Sequence, residues 1–413
     1  YLGDTTKETI DEWLDPRHPW RAYVTEAGLR GLDILRALGR SSTAKYDTMR
    51  QWMCPDHRVH GGLLYHGAST GRWTGAGVQP HNFTKGTIQD QEGLWALLKT
   101  ESRDYILSQA PTKKGVPLYS GIMEALSHGL RGAIVPSVGY QLYVADYAAI
   151  EARVLLWLAD DQEALGMFAR GEDIYCAMAS TIYGREILPN PHDQPPERKM
   201  GKEGILGLGY QMGASKFTER CALVGIPITQ EFAKVVVDAY RTRFWRVKAL
   251  WYDQEAAAVA ALQGEDPVIA GPTMWLRDGR FLLCQLPSGR CLAYPDPELR
   301  ERTTPWGEMK WTVTHMGIDT YTRQWTRQSL YGGLIVENIT QAVSRDIMAA
   351  AMLRCERSGT YLPVLSVHDE IVAEALQGQG SVEEFVTLLT KLEPWAAGCP
   401  IAAEGWVGPR YRK

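Results

Sequence analysis

The sequence predicts a mixed α+β fold with more than one lobe, and three features lead to that expectation. The apolar run Leu142-Tyr143-Val144-Ala145 passes at once into a helical pattern lasting through Leu158, which reads as a buried strand followed by a helix. Residues 266–330 read as β-rich, with Phe281-Leu282-Leu283-Cys284 and Cys291-Leu292-Ala293-Tyr294 flanking Pro287-Ser288-Gly289 as a hairpin would. The length of 413 residues, set against a typical domain of about 150, suggests two or three lobes.

The remaining elements follow in order. Residues 1–53 carry helical spacing, as in Leu29, Leu32, Ile34, Leu35 and Leu38. Residues 54–86 are loop-rich, holding Pro55, Pro80 and seven glycines around one strand-like run, Leu63-Leu64-Tyr65. Helix returns over 87–130. Residues 162–262 are mostly helical, interrupted by a proline-rich loop from Leu188 to Pro196 before a helix that starts near Glu197. A long helix runs from about Gly333 to Arg357. Val364-Leu365-Ser366-Val367 and Ile371-Val372-Ala373 then pair as strands joined by His368-Asp369-Glu370.

Composition excludes several classes. Apolar residues make up 45% and charged residues 22%, which is ordinary for a soluble chain and unlike a disordered or collagenous one. The formal charge of −4 announces no global basic field, so any grip on nucleic acid has to be local. Seven cysteines without a C-x-x-C pair suggest a reducing compartment, and Cys54, His57 and His60 read as loop residues. No apolar run approaches the roughly 18 residues of a membrane helix, and the start lacks a signal-peptide core. A soluble, cytoplasmic protein with no membrane partner is the expectation. The chain does not begin with Met and reads as a processed or trimmed piece of something longer.

Two carboxylates stand out by position. Asp146 falls where a buried strand stops and a helix begins, and Asp369 falls at a strand-pair tip. Phosphoryl and nucleotidyl transfer use such oxygen ligands, because magnesium prefers hard oxygens and two ions about 3.5 to 4 Å apart stabilise the attacking and leaving oxygens. Each alone is more often a structural or solvated turn residue. The weight comes from a third element.

In the segment Arg198 to Tyr210, positions 198, 202, 206 and 210 recur every fourth residue and share one helix face. Two cations followed by an apolar and an aromatic residue suit a nucleoside triphosphate, with Arg198 and Lys202 on phosphates and a ring against a base. Gly201, Gly204, Gly207 and Gly209 each cost about 1 kcal/mol of helix propensity, which points to close backbone approach. Neither a dinucleotide fingerprint nor a P-loop is present.

Taken in order, Asp146-Tyr147-Ala148-Ala149-Ile150-Glu151-Ala152-Arg153, then Arg198-x-x-x-Lys202 to Tyr210, then Val367-His368-Asp369-Glu370 resemble motifs A, B and C of family A DNA polymerases. Thr70-Gly71-Arg72-Trp73, Gln79-Pro80-His81-Asn82, Asp173-Ile174-Tyr175 and Glu337-Asn338-Ile339-Thr340-Gln341-Ala342 extend the likeness over roughly residues 60 to 375. The tract Tyr331 to Asn338 resembles the phage and prophage branch more than the bacterial repair enzymes.

The resemblance implies a right-hand fold with a palm sheet, helical fingers and a partial thumb. It divides the chain into residues 1–55 as thumb remnant and approach to the palm, 56–165 as the first part of the palm with a helical insertion near 87–130, 166–327 as fingers including the β-rich segment, and 328–413 as the second part of the palm. It implies template-directed addition of dNTPs to a primer 3′ end. Asp146 and Asp369 would bind two magnesium ions, with manganese as a substitute, and Glu370 would support them as an outer carboxylate. Arg198 and Lys202 would hold the triphosphate, with Lys202 protonating the leaving pyrophosphate. Glu151 would reject a 2′-hydroxyl, Tyr210 would stack near the templating position, and Tyr147, Tyr175 and Leu206 would complete the nucleotide pocket.

On the DNA side, Arg72 and Gln341 would touch minor-groove acceptors that every correct pair presents alike. His368 would meet the primer end, and His81 and Asn82 would position the template. Departures from the family are Leu206 in place of Phe or Tyr, Tyr210-Gln211 in place of Tyr-Gly, Tyr175 in place of His, and Glu337 in place of Asn. A monomer is expected, without the upstream proofreading exonuclease domain, in the host cytoplasm if phage-encoded. The rival readings are a single-subunit RNA polymerase, against which Glu151 argues, and a catalytically silent primer-template binding module, against which Asp146, Asp369 and Lys202 argue.

Overall fold

The computed structural model describes residues 7–15, 18–19, 21–38, 43–86, 88–100, 102–113, 115–119, 121–190, 194–265, 267–303, 307–319 and 322–412. Helices Lys7–Leu14, Glu26–Leu38 and Ala44–Trp52 open the chain; residues 1–6, 16–17, 20 and 39–42 of the expected thumb stretch lie outside the described residues. The glycine-rich segment after them holds a two-residue ladder, Leu63–Leu64 against Thr74–Gly75. Helices Gln91–Leu98, Arg103–Ser108 and Ile122–Gly129 then enclose a small core of their own, made of Ile88, Leu94, Ile106, Tyr119 and Ala125.

The elements that position the site begin with strand β1 (Tyr140–Tyr147) and helix α1 (Ile150–Leu158). They are not directly continuous: Ala149 sits between them at φ 52°, a left-handed turn that swings the chain off the sheet. Helices α2 (Ile174–Tyr183), α3 (Pro196–Leu208) and α4 (Trp245–Gln263) follow. The β-rich stretch forms a four-stranded antiparallel sheet and a three-stranded one, and its expected hairpin is β2 (Phe281–Gln285) with β3 (Cys291–Pro295). Helix α5 (Gly332–Arg357) leads to β4 (Leu362–Val367), β5 (Glu370–Leu376), helix α6 (Val382–Thr390) and β6 (Ala403–Gly408).

Strands β4, β5, β1 and β6 lie side by side in that order, all antiparallel. Strand alternation sends β1 side chains to two covered faces. Tyr143, Ala145 and Tyr147 join the main core, which continues through α1 to α5, while Leu142 and Val144 pack with Val367, Val372 and Tyr411. Asp146, two residues on from Val144, belongs to the Tyr411 face. Strand β6 has no counterpart in the sequence reading. The connection between β4 and β5 is also tighter than expected, because Glu370 is already the first residue of β5, paired with Val367.

Close packing accounts for most of the unusual glycines. A Cβ on Gly201 would come within 2.0 Å of the Tyr175 carbonyl oxygen, so α2 and α3 can cross only through that glycine. A Cβ on Gly209 would meet Leu155 at 2.6 Å and one on Gly207 would meet Arg220 at 3.2 Å. Gly204 is a correction: its nearest neighbour would be Met178 at 3.6 Å, an ordinary contact, so close approach does not explain it. The fully buried Trp251 of α4 donates its indole N–H to the Gly209 carbonyl at 2.7 Å, which pins the end of α3.

Candidate functional site

The carboxylates meet at one edge of the four-stranded sheet. Asp146 lies directly opposite Glu370 on β5 and opposite Glu404 on β6, so three acidic residues stand in one cross-strand row. Directly opposed like charges are destabilising unless something cationic offsets them. Asp369 sits in the turn just outside β5, and its carbonyl accepts the Tyr147 N–H at 3.2 Å. Asp146 and Asp369 are half-buried and Glu370 is buried. Such hard oxygen donors suit magnesium or manganese rather than a softer, thiol-seeking ion. The residues present therefore fit the two-metal expectation.

A cavity beside this edge is lined by Arg72, Tyr147, Ile150, Ser344, Arg345, Met348, His368 and Asp369. Tyr147 contributes ring and backbone, because its hydroxyl is turned into the core and donates to the Leu389 carbonyl at 2.9 Å. Arg153, from the motif A stretch, fixes the joint after β1: its guanidinium donates to the Ala148 carbonyl at 2.7 Å and to the Pro400 carbonyl at 2.5 Å.

Glu151, at the start of α1, ties three sequence-distant segments together. Arg72 donates to one carboxylate oxygen at 2.6 Å and Tyr210 to the other at 3.0 Å. Burial, and then the Glu151 charge, push the Tyr210 phenol well above its ordinary range, so it acts as a donor. Glu337 is held above the usual carboxylate range by burial and by Glu151, with Arg72 opposing. Gln341 donates to Glu337 at 3.2 Å, so the departure at 337 has recruited the residue expected at the primer terminus.

The stripe on α3 faces away from the core. Arg198 is half-buried, Lys202 exposed and Leu206 half-buried, while Met200, Gly201, Glu203, Gly204, Ile205, Gly207 and Leu208 are buried. Tyr210 lies in the turn just past the helix. The Arg198 guanidinium pairs with Asp173 at 2.6 Å and lies 5.0 Å from the Tyr175 ring centre. Asp173 caps α2 by accepting from the Tyr175 and Cys176 N–H groups. Burial raises the Tyr175 phenol, and the charges of Arg198, Asp173, Arg153 and Asp369 all act on it. Tyr175 thus packs against Arg198 of the stripe.

On the other side, His368 adopts φ 56° in that turn and donates its Nε2–H to the His81 carbonyl at 3.1 Å. The two imidazoles pack edge to face with centres 5.2 Å apart, and burial followed by His368 lowers the His81 pKa. Asn82 is exposed and donates to Gln79 at 3.3 Å.

Several groups were not foreseen from sequence. Arg290, on the β2–β3 turn, pairs with the buried Asp346 at 2.8 Å and donates to the Thr70 carbonyl at 3.0 Å. Arg345 donates to the Gly71 carbonyl at 2.9 Å and stacks over Trp73 at 4.5 Å. Together they hold the Thr70-Gly71-Arg72 turn. Arg131, Tyr411 and Glu404 carried no sequence signal either, since each is isolated from the motifs along the chain. The thiol of Cys54, the Asp56 carboxylate and the His60 ring come within 4.8 Å of one another, with Asp56 and His60 paired at 2.8 Å. His57 does not join them; Asp56 and His60 are exposed and Cys54 is half-buried. The seven cysteines are free thiols.

Hard-oxygen carboxylates at the strand ends and a helix face carrying Arg198 and Lys202 are the kinds of group that suit metal and phosphate chemistry. The family model described as DNA polymerase family A matches residues 102–279, which include Asp146 and the whole α3 stripe. A DNA polymerase of Bacillus phage SP02 is 35% identical over 414 residues, covering 100% of this chain and 60% of that protein. DNA polymerase I of Pseudomonas aeruginosa is 30% identical over 169 residues, 41% of this chain and 17% of that one. The POL domain of Pol1 from M. smegmatis, solved in complex with DNA primer-template and dNTP, superposes with a TM-score of 0.57 at 18% identity, covering 98% of this chain and 56% of that one. The fold is therefore that of a DNA polymerase POL domain, and the chain is similar to DNA polymerase family A over residues 102–279. It spans 60% of the length of the phage relative. No helix among the described residues is long and apolar enough to cross a membrane.

Proposed function

We propose that this chain is a template-directed DNA polymerase that adds dNTPs to a primer 3′ end by two-metal nucleotidyl transfer. The observation that carries this reading is the meeting of Asp146, Asp369 and Glu370 at one sheet edge. The M. smegmatis neighbour, solved with primer-template and dNTP, supports the same choice of substrates. The four-stranded sheet is the palm, drawn from 56–165 and 328–413; residues 166–327 are fingers, and 1–55 belong to a partial thumb. The chain acts as a monomer.

Asp146 and Asp369 would hold the magnesium ions, with Glu370 behind them. When bound, the ions supply charge stabilisation to the attacking and leaving oxygens. The protein's own work is positioning. Arg198, steered by Asp173, and the exposed Lys202 meet the triphosphate, and Lys202 delivers a proton to the departing pyrophosphate. Tyr147, Tyr175 and Leu206 wall the nucleotide, and Tyr210 stands at the templating position. Glu151, fixed from both sides by Arg72 and Tyr210, cannot swing aside for a 2′-hydroxyl. His368 and Gln341 face the primer, and His81 and Asn82 the template.

Primer extension on a defined template with magnesium, comparing dNTPs with rNTPs beside Asp369→Ala, tests the proposal. Extension with dNTPs that the variant abolishes supports it. A preference for rNTPs would point to an RNA polymerase, and DNA binding without extension would point to a silent module.

A further inference from the structure

A buried relay reaches the carboxylate edge from outside all of the motifs. Arg131, Tyr411 and Glu370 are 4%, 0% and 1% exposed. The Arg131 guanidinium donates to the Tyr411 hydroxyl at 2.7 Å, and that hydroxyl donates to the Glu370 carboxylate. The direction is forced. A guanidinium only donates, so the phenol oxygen accepts from Arg131 and its single hydrogen goes to the carboxylate. Arg131 also donates to the Phe83 and Thr84 carbonyls, at 3.1 Å and 3.2 Å, and the Tyr411 N–H donates to the Ile134 carbonyl at 3.0 Å. The phenol is therefore anchored at both ends.

The arrangement answers a physical difficulty at this edge. Glu370 stands opposite Asp146 on the same face of the sheet, where two like charges repel. A guanidinium placed directly on Glu370 would offset that repulsion but would also compete with any cation for the carboxylate. With the phenol interposed, the positive charge polarises the hydroxyl, the hydroxyl orients one carboxylate oxygen, and the negative charge stays available at the edge.

We infer that Tyr411, held by Arg131, is a positioning residue that orients Glu370 and thereby sets the affinity of the Asp146–Asp369 edge for divalent cations. The inference rests on the proposed two-metal reading, and it assigns to that site two residues outside the family motifs identified in the sequence. The pair also links the edge to the segment just after His81 and Asn82, through the Phe83 and Thr84 carbonyls.

The test uses Mn2+ binding, read from the paramagnetic resonance signal of the free ion, together with magnesium titrations of primer extension. The wild-type chain is compared with Tyr411→Phe, Glu370→Gln and the double variant. Tyr411→Phe keeps the ring and removes only the hydroxyl. Loss of an outer partner of a metal ligand costs about 10- to 100-fold in affinity or activity. Tyr411→Phe is expected to weaken Mn2+ binding about tenfold and raise the magnesium requirement in parallel, with the KM for dNTP nearly unchanged. The double variant should be no worse than Glu370→Gln alone. Wild-type Mn2+ affinity and magnesium dependence in Tyr411→Phe, or full additivity with Glu370→Gln, would overturn the inference. If Tyr411→Phe does not fold, Arg131→Gln, which removes the charge but keeps a donor, must weaken Mn2+ binding in the same direction. A wild-type chain that binds Mn2+ but never extends a primer would sink the polymerase reading, while the binding comparison would still judge Tyr411.

Discussion

Tyr210 donates its phenolic hydrogen to Glu151 at 3.0 Å across an interval of 59 residues, joining the end of the α3 helix to the start of α1. With Arg72 on the opposite carboxylate oxygen, Glu151 becomes the point where the Thr-Gly-Arg turn, motif A and motif B are held in common. A carboxylate anchored at both oxygens is a rigid wall, and a rigid wall can discriminate by sterics.

The first prediction concerns that wall. Glu151→Ala should lower the preference for dNTP over rNTP by about tenfold or more, because it opens the space a 2′-hydroxyl needs, and each 1.4 kcal/mol of lost exclusion is a factor of ten. Tyr210→Phe, which loosens one anchor, should lower it less. Competition assays with a single templating base measure both, and equal discrimination in all three proteins would remove Glu151 from sugar selection.

A second prediction follows from Glu337. Its carboxyl is held above the ordinary 4.5 by burial and by Glu151, so the native state binds the proton more tightly than the unfolded chain does. Stability then falls as pH rises from about 4.5 through the raised value, and the deficit is complete above it. Glu337→Gln should therefore melt higher than wild type at neutral pH and lose that advantage below pH 4.5. Melting curves across this range decide it; a pH-independent difference would mean that the carboxyl titrates alike in both states.

The glycines of α3 give a matched pair. Gly201→Ala would drive a methyl to within 2.0 Å of a backbone oxygen on α2, and overpacking against backbone costs at least about 1–3 kcal/mol. Gly204→Ala meets only ordinary contacts and gains up to about 1 kcal/mol of helix propensity. Chemical denaturation should order the proteins as Gly204→Ala, wild type, Gly201→Ala. The reverse order would contradict the α2–α3 packing described above.

Gln211 explains its own departure from the family pattern. It adopts φ 65°, a left-handed conformation that glycine takes without strain, and its side-chain oxygen accepts the Gly333 N–H at 2.9 Å, at the start of α5. Gln211→Ala keeps the strain and loses the bond, so it should destabilise by about 1 kcal/mol. Gln211→Gly relieves the strain as it loses the bond and should cost less. Denaturation midpoints for the two variants provide the comparison.

The legible parts of the fold were those with local signatures. The apolar run before Asp146, the β2–β3 hairpin and the α3 stripe all have periodicities or turn residues that a short window reveals. Strand β6 was missed because Ala403-Glu404-Gly405-Trp406-Val407-Gly408 carries two glycines and no clean apolar alternation, and it is a strand only because β1 offers it a partner. Arg131 and Tyr411 were invisible for a different reason. Their bond spans 280 residues, and neither residue type has a periodicity that marks it as a partner for a buried carboxylate. The Arg290–Asp346 pair that braces the Thr70 turn is illegible on the same grounds.

The most direct test of the central claim is magnesium-dependent incorporation of a single dNTP in one turnover, with primer-template binding measured on the same proteins, for wild type, Asp146→Asn and Asp369→Asn. These substitutions keep side-chain size and remove charge. The account predicts that both variants bind primer-template as wild type does and incorporate nothing. Incorporation by either variant at the wild-type rate would show that the Asp146–Asp369 edge is not where the chemistry occurs.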